Sequence, residues 1–99
     1  MFGTPDYYIY VAGGLKVFVD DWYIATQKGV EGLKGKPYGL FHSHGGGGGV
    51  RGPFESLFKH VGGKQVGHTI ESCGHPNAAA LRACRKLEAQ LARSVARQA

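Results

Sequence analysis

Apolar positions between Val11 and Trp22 recur with a helical period. Val11, Leu15, Phe18, Val19 and Trp22 fall on one face, while Lys16, Asp20 and Asp21 lie on or near the other. Gly13 and Gly14 weaken the first turn, because glycine costs about 1 kcal/mol inside a helix. Thr26 to Lys36 is polar and interrupted by Gly29, Gly32 and Gly35, which predicts a loop. The pattern then changes. Pro37 to Ser43 is short and mostly apolar, bounded by a lysine–glycine stretch and a glycine run, and predicts a buried strand. Beyond the glycines, Phe54, Leu57, Phe58 and Val61 sit at i, i+3, i+4 and i+7. They predict a helix of about two turns, with Pro53 suited to its first position and Gly62 to its C-terminal cap.

Gln65 to Ser72 alternates loosely, as an edge strand does. Asn77 is placed to cap a last helix, along which Ala80, Cys84, Leu87, Leu91 and Val95 form one stripe. That helix runs to Arg97. The order is therefore helix, strand, glycine loop, helix, strand, helix. Alternation of this kind implies an α/β fold with parallel strands joined by right-handed crossovers. Nothing repeats and no linker divides the chain, so residues 1–99 read as a single domain.

Composition narrows the class. A chain of 99 residues with 42% hydrophobic and 11% aromatic content folds rather than remaining disordered. No apolar stretch approaches the roughly 20 residues of a membrane-spanning helix. Met1-Phe2-Gly3-Thr4-Pro5 has neither the basic start nor the apolar core of a signal peptide. A soluble, cytoplasmic protein without a membrane partner is the expectation. Lys and Arg number 12 against 7 Asp and Glu, an excess that suits an anionic partner. Arg82, Arg85, Lys86, Arg93 and Arg97 nevertheless share the last helix, where a solvated face accounts for them. No basic–aromatic pattern of a DNA- or RNA-binding module is present, so nucleic acid is not the expected partner. Cys73 and Cys84 make no disulfide framework and are expected reduced.

Two segments are candidates for binding. Ser43 to Val50 follows a strand and precedes a helix, the position at which open α/β sheets take ligands. Gly45 to Gly49 carry no side chains, so their backbone N–H groups can approach a flat or anionic ligand closely. The run has neither GxGxxG spacing nor a following Gly-Lys-Ser/Thr, which excludes the dinucleotide and Walker fingerprints. Gly3-Thr4-Pro5-Asp6-Tyr7-Tyr8 forms the second segment, a turn followed by aromatic rings able to stack on a planar ligand.

Gly3-Thr4-Pro5-x-Tyr7-Tyr8, Gly13-Gly14-Leu15-Lys16-Val17-Phe18-Val19-Asp20, Gly35-Lys36-Pro37 and Phe41-His42-Ser43-His44 with the glycines occur in this order over nearly the whole chain. The ordered set resembles the flavodoxin-like FMN-binding family, in its NAD(P)H–quinone reductase-like branch. That resemblance implies a five-stranded parallel sheet in three α/β/α layers, with FMN at the carboxyl ends of the strands. The loops after the third and fourth family strands flank the isoalloxazine ring. Thr4, Pro5, Tyr7 and Tyr8 would occupy the first loop; Ser43, His44, Gly45, Gly46, Gly47 and Gly48 would occupy the second. His44 stands where the family often has a small hydroxyl residue. No catalytic side chain is implied, because the flavin carries the electron or hydride. The expected partners are FMN, NAD(P)H and a quinone or protein redox partner.

The same resemblance implies a truncated flavodoxin-like sheet. The family's phosphate loop follows its first strand, and the chain begins after that point. Roughly 60 family residues have no counterpart, and only Met1 and Phe2 remain of the third strand. Pro37–Ser43 is then expected to leave one backbone edge unpaired, which favours a homo-oligomer, and the loss of the family's N-terminal part implies low FMN affinity.

Other chemistry is less well supported. His42 and His44, alternating at a strand end, are assigned to opposite faces and so do not share an ion. Cys73-x-His75 with Cys84 is not a zinc spacing, and no metal is expected. His60 suits a helix C-terminus and His68 a strand surface. Asp20, Asp21 and Glu55 read as helix-surface charges, and Cys73 beside His75 lacks a third orienting group. Two alternatives to the redox protein stand: a non-catalytic remnant or assembly module without cofactor, and a basic anion- or nucleic-acid-binding protein.

Overall fold

A computed structural model describes residues 1–6, 9–29, 34–46, 49–60 and 62–98. The strands are β1 (Phe2–Pro5), β2 (Pro37–Tyr38), β3 (Leu40–His44), β4 (Lys64–Gln65) and β5 (Ile70–Cys73). The helices are α1 (Gly13–Gln27), α2 (Arg51–His60) and α3 (Ala78–Gln98). A three-stranded parallel sheet runs in the order β1-β3-β5, and β2 pairs in parallel with β4. The mixed α/β architecture with parallel strands is as the alternation implied.

Helical period accounts for the three helices, and local chemistry sets their ends. α1 begins at Gly13 in spite of its two glycines, and it outlasts the expected boundary by reaching Gln27. Asn77 caps α3, its side-chain oxygen accepting from the Ala80 N–H at 2.8 Å. Past α2, Gly62 adopts φ +82°, a left-handed turn that glycine takes without a Cβ penalty. Pro53 is the third residue of α2 rather than the first, still within the turn whose N–H groups lack helical partners. Val61 lies outside the described residues.

The two strand segments beyond α1 are both interrupted. Pro37 to His44 breaks at Gly39 into β2 and β3. Gln65 to Ser72 is not one strand: β4 pairs with β2 and β5 pairs with β3, and Gly67 between them has φ +66°. The gap is fastened to α2, since Thr69 accepts from the Gln65 amide at 3.0 Å and donates to Glu55 at 2.7 Å. Glu55 is therefore more than a surface charge. His68 is exposed but lies in this gap, outside any strand.

The expected unpaired edge along Pro37–Ser43 fails for the longer part of that segment. β3 has no free edge, because β1 is a full four-residue strand that pairs with it from Phe2↔Leu40 to Pro5↔Ser43. Phe2 N–H donates to Gly39 O at 2.9 Å and Asp6 N–H to Ser43 O at 2.8 Å, so the ladder continues past both ends. Among the described residues, β2, the Pro37–Tyr38 part of the segment, pairs with β4 alone, and the edge strands of the three-stranded sheet are β1 and β5.

Val19 of α1, Phe54 and Phe58 of α2, and Tyr38 and Leu40 of the sheet form the core together with Val11 and Val50. Phe58 is its aromatic centre, with ring centroids 4.5 Å from Phe2, 5.5 Å from Phe54 and 5.7 Å from Tyr38. The other face of the sheet carries α3. Leu87, its buried residue, sits against Gly39 and Gly67, where an added Cβ would lie 3.0 Å from a Leu87 methyl carbon at each position. Either side of Leu87, the expected stripe is only partly covered: Ala80, Cys84 and Leu91 are half-buried and Val95 is exposed. Arg82, Arg85, Lys86, Arg93 and Arg97 all face solvent.

Candidate functional site

The loops after β1 and β3 leave the sheet side by side, because their strands are neighbours with parallel direction. One residue joins them. The Asp6 carboxylate accepts from the Ile9 N–H at 2.9 Å with one oxygen and from the Val50 N–H at 3.3 Å with the other. The first is a local side-chain-to-backbone turn, and the second reaches the start of α2. Ile9 packs against Gly49, where a Cβ would come 2.5 Å from its Cγ2. Ile9 also holds φ +64°, a backbone conformation that a β-branched residue adopts only where its surroundings impose it. Asp6 was not singled out from the sequence, although a Pro-Asp pair is itself a turn signal.

Six of the proposed binding residues gather here. Thr4 and Pro5 end β1, Ser43 and His44 end β3, and Gly45 and Gly46 follow. Tyr7, Tyr8, Gly47 and Gly48 lie outside the described residues. Among the described residues, a Cβ on Gly45 or Gly46 would meet nothing within 4 Å, so none of them blocks a ligand approaching the backbone there. Thr4 is occupied internally: its hydroxyl donates to Pro5 O at 2.8 Å and accepts from the Ala12 N–H at 2.9 Å. It ties β1 to the start of α1.

His42 and His44 do not face apart. Residues two apart on a strand point the same way, and the two rings lie with centroids 5.8 Å apart on one side of β3. Glu71, the register partner of His42 on β5, stands between them. Its carboxylate accepts from His44 Nε2 at 2.5 Å and lies 3.8 Å from His42 Nε2. The signal for this cluster is present in the sequence as a period of two, which puts both rings on one face rather than on opposite faces.

The His42 side chain is fully buried, and among the described residues neither ring nitrogen has a hydrogen-bond partner; His44 Nδ1 likewise has none among them. Burial pushes the His42 imidazole below its ordinary pKa. Glu71 opposes that shift, His44 reinforces it, and Asp6 and Arg51 act in opposite directions with smaller effect. Among the described residues, no group of three or more His, Cys, Asp or Glu side chains is arranged to hold a metal ion. His60 ends α2, its Nδ1 donating to Ser56 O at 2.7 Å. Asp20 pairs with Lys16 at 2.6 Å on the exposed face of α1.

Among the described residues, no helix is long and apolar enough to cross a membrane. No family model, curated protein or solved structure matches the chain.

Proposed function

We propose that this chain is an FMN-binding, flavodoxin-like redox protein whose loops after β1 and β3 hold the flavin ring. The observation that carries the proposal is the pairing of those loops at the carboxyl ends of parallel strands, with open backbone at Gly45 and Gly46. This is where an open α/β sheet accommodates a planar ligand. The residues fit the edge of an uncharged ring system, since they offer backbone groups and one exposed loop rather than a cluster of cations. Bound flavin would supply the electron or hydride chemistry. Asp6 would hold the two loops in mutual register, and Ser43, His44, Gly45 and Gly46 would line the ring edge.

In this reading NAD(P)H is the donor, a quinone or a protein is the acceptor, and the open edge of β1 favours association with a second copy. Titrating FMN with the purified chain tests it. Quenching of flavin fluorescence that saturates with protein is expected, and Asp6→Ala should weaken it. Unchanged FMN emission at high micromolar protein would refute flavin binding by this chain.

A further inference from the structure

A cavity of ≈ 460 Å³ lies on the α3 side of the sheet, away from the aromatic core. Its floor is the outward face of the three parallel strands, where Gly3, Phe41 and Ile70 alternate away from Thr4, Leu40 and His42. Its roof is the first two turns of α3, with Ala80, Leu81 and Cys84. Pro76 narrows the end nearest the loop before that helix.

Two of its walls are unusually apolar for surface that water can reach. Phe41 is 40% exposed and Leu81 49% exposed, and both border the space. The Phe41 ring lies over Gly3, which has no side chain to prop it away from the sheet. Ser43 and Ser72 are register partners on β3 and β5, and both line the cavity toward the carboxyl ends of the strands. The result is a mostly apolar chamber, with an aromatic ring in one wall and two hydroxyls together at one end.

We infer that this cavity binds a compact, planar, largely apolar molecule with one hydrogen-bonding group, oriented with that group toward Ser43 and Ser72. The size falls in the roughly 300–1,000 Å³ range of small-ligand sites. Apolar walls with a few convergent polar groups are the composition such sites have. Phe41 supplies a face for offset stacking, and the paired hydroxyls fix which end of the ligand goes inward. The inference does not rest on the flavin proposal, although Thr4, Pro5 and Ser43 border both sites and His42 also borders the cavity; it does not use the glycine loop.

Cys84 makes the test direct, because it lines the cavity while Cys73 is exposed on the end of β5. The probe is 2-naphthol, a planar bicycle with one hydroxyl. Saturating 2-naphthol should slow labelling of Cys84 by N-ethylmaleimide at least tenfold and leave Cys73 unchanged. Naphthalene, which lacks the hydroxyl, should protect several-fold less at equal concentration. In the Ser43→Ala/Ser72→Ala double variant that difference should vanish while naphthalene still protects. Equal labelling of Cys84 with and without millimolar 2-naphthol would overturn the inference. So would protection of Cys84 that rises with protein concentration alone and tracks dimer formation by sedimentation, since a second copy would then fill the space. Because Ser43 borders both sites, FMN titration is made on the wild-type chain beside the Cys84 labelling of the same protein, and either result can fail while the other holds.

Discussion

His42 offers the sharpest test of the electrostatics. Replacing it with Leu puts an apolar side chain of similar bulk in a fully buried site and removes two ring nitrogens that have no partner among the described residues. A buried polar group left unsatisfied costs about 1–3 kcal/mol, so His42→Leu should stabilise the fold by about 1 kcal/mol or more near neutral pH. The effect has a definite pH dependence. The unfolded imidazole titrates near its ordinary pKa of about 6.5, and burial holds the folded one below that. Between those two values the unfolded chain binds the extra proton. Wild-type stability therefore falls as pH drops through that window, by up to about 1.4 kcal/mol per pH unit, and falls no further below the folded pKa.

The neighbours Glu71, His44, Asp6 and Arg51 remain in the variant, so the difference between the two proteins reports the removal of His42. Urea denaturation followed by Trp22 fluorescence at about pH 7.5 and at about pH 5 measures it. The variant's advantage should widen on acidification. A wild type that is the more stable protein at both pH values, by a constant margin, would refute the reasoning and show that His42 has a favourable partner.

Three further outcomes follow from the packing. Phe58→Ala should cost about 3–5 kcal/mol, because the ring is buried among Phe2, Tyr38 and Phe54; chemical denaturation measures this, and a loss under 1 kcal/mol would mean the core is not centred there. Asn77→Ala should destabilise by about 1 kcal/mol with little change in m-value, through the lost cap on α3. Gly3→Ala should cost about 1 kcal/mol, the low end for overpacking, because its Cβ would run into the Phe41 ring, whose exposed outer edge must swing aside. Most of that cost should disappear in a Phe41→Ala background, and additive costs in the double-mutant cycle would deny the contact.

Helices were the legible part of this fold. Their signals are short-range: a 3.6 period through Leu15, Val19 and Trp22, another through Phe54, Leu57 and Phe58, and the capping chemistry of Asn77 and Gly62. β1 was not fully legible. Phe2 to Pro5 is too short to display alternation, and its partner lies some 38 positions away by register (Phe2↔Leu40). The division of Gln65 to Ser72 between two pairings was equally hidden, since it depends on Gly67 turning the backbone and on Thr69 reaching Glu55 across space.

The candidate site was legible in outline. A glycine run after a strand marks a loop at a carboxyl end wherever strands are parallel. Its fastening by Asp6 was not, because Val50 lies 44 residues further on and only the neighbouring of β1 and β3 brings them together. His42 and His44 teach the opposite lesson. Their shared face was written in the spacing itself, and what the spacing withheld was Glu71.

Leu87 acts on α3 as a detent acts on a sliding bolt. Its methyl groups drop against Gly39 and Gly67, at the two breaks between strands, where the glycines have no side chain to hold Leu87 off the backbone. Sliding α3 by one turn, about 5.4 Å, would lift Leu87 out of that notch and carry Cys84 along the sheet. The depth of the notch thus sets which part of the helix overhangs Phe41, and a side chain grown at Gly39 would loosen a chamber it never touches.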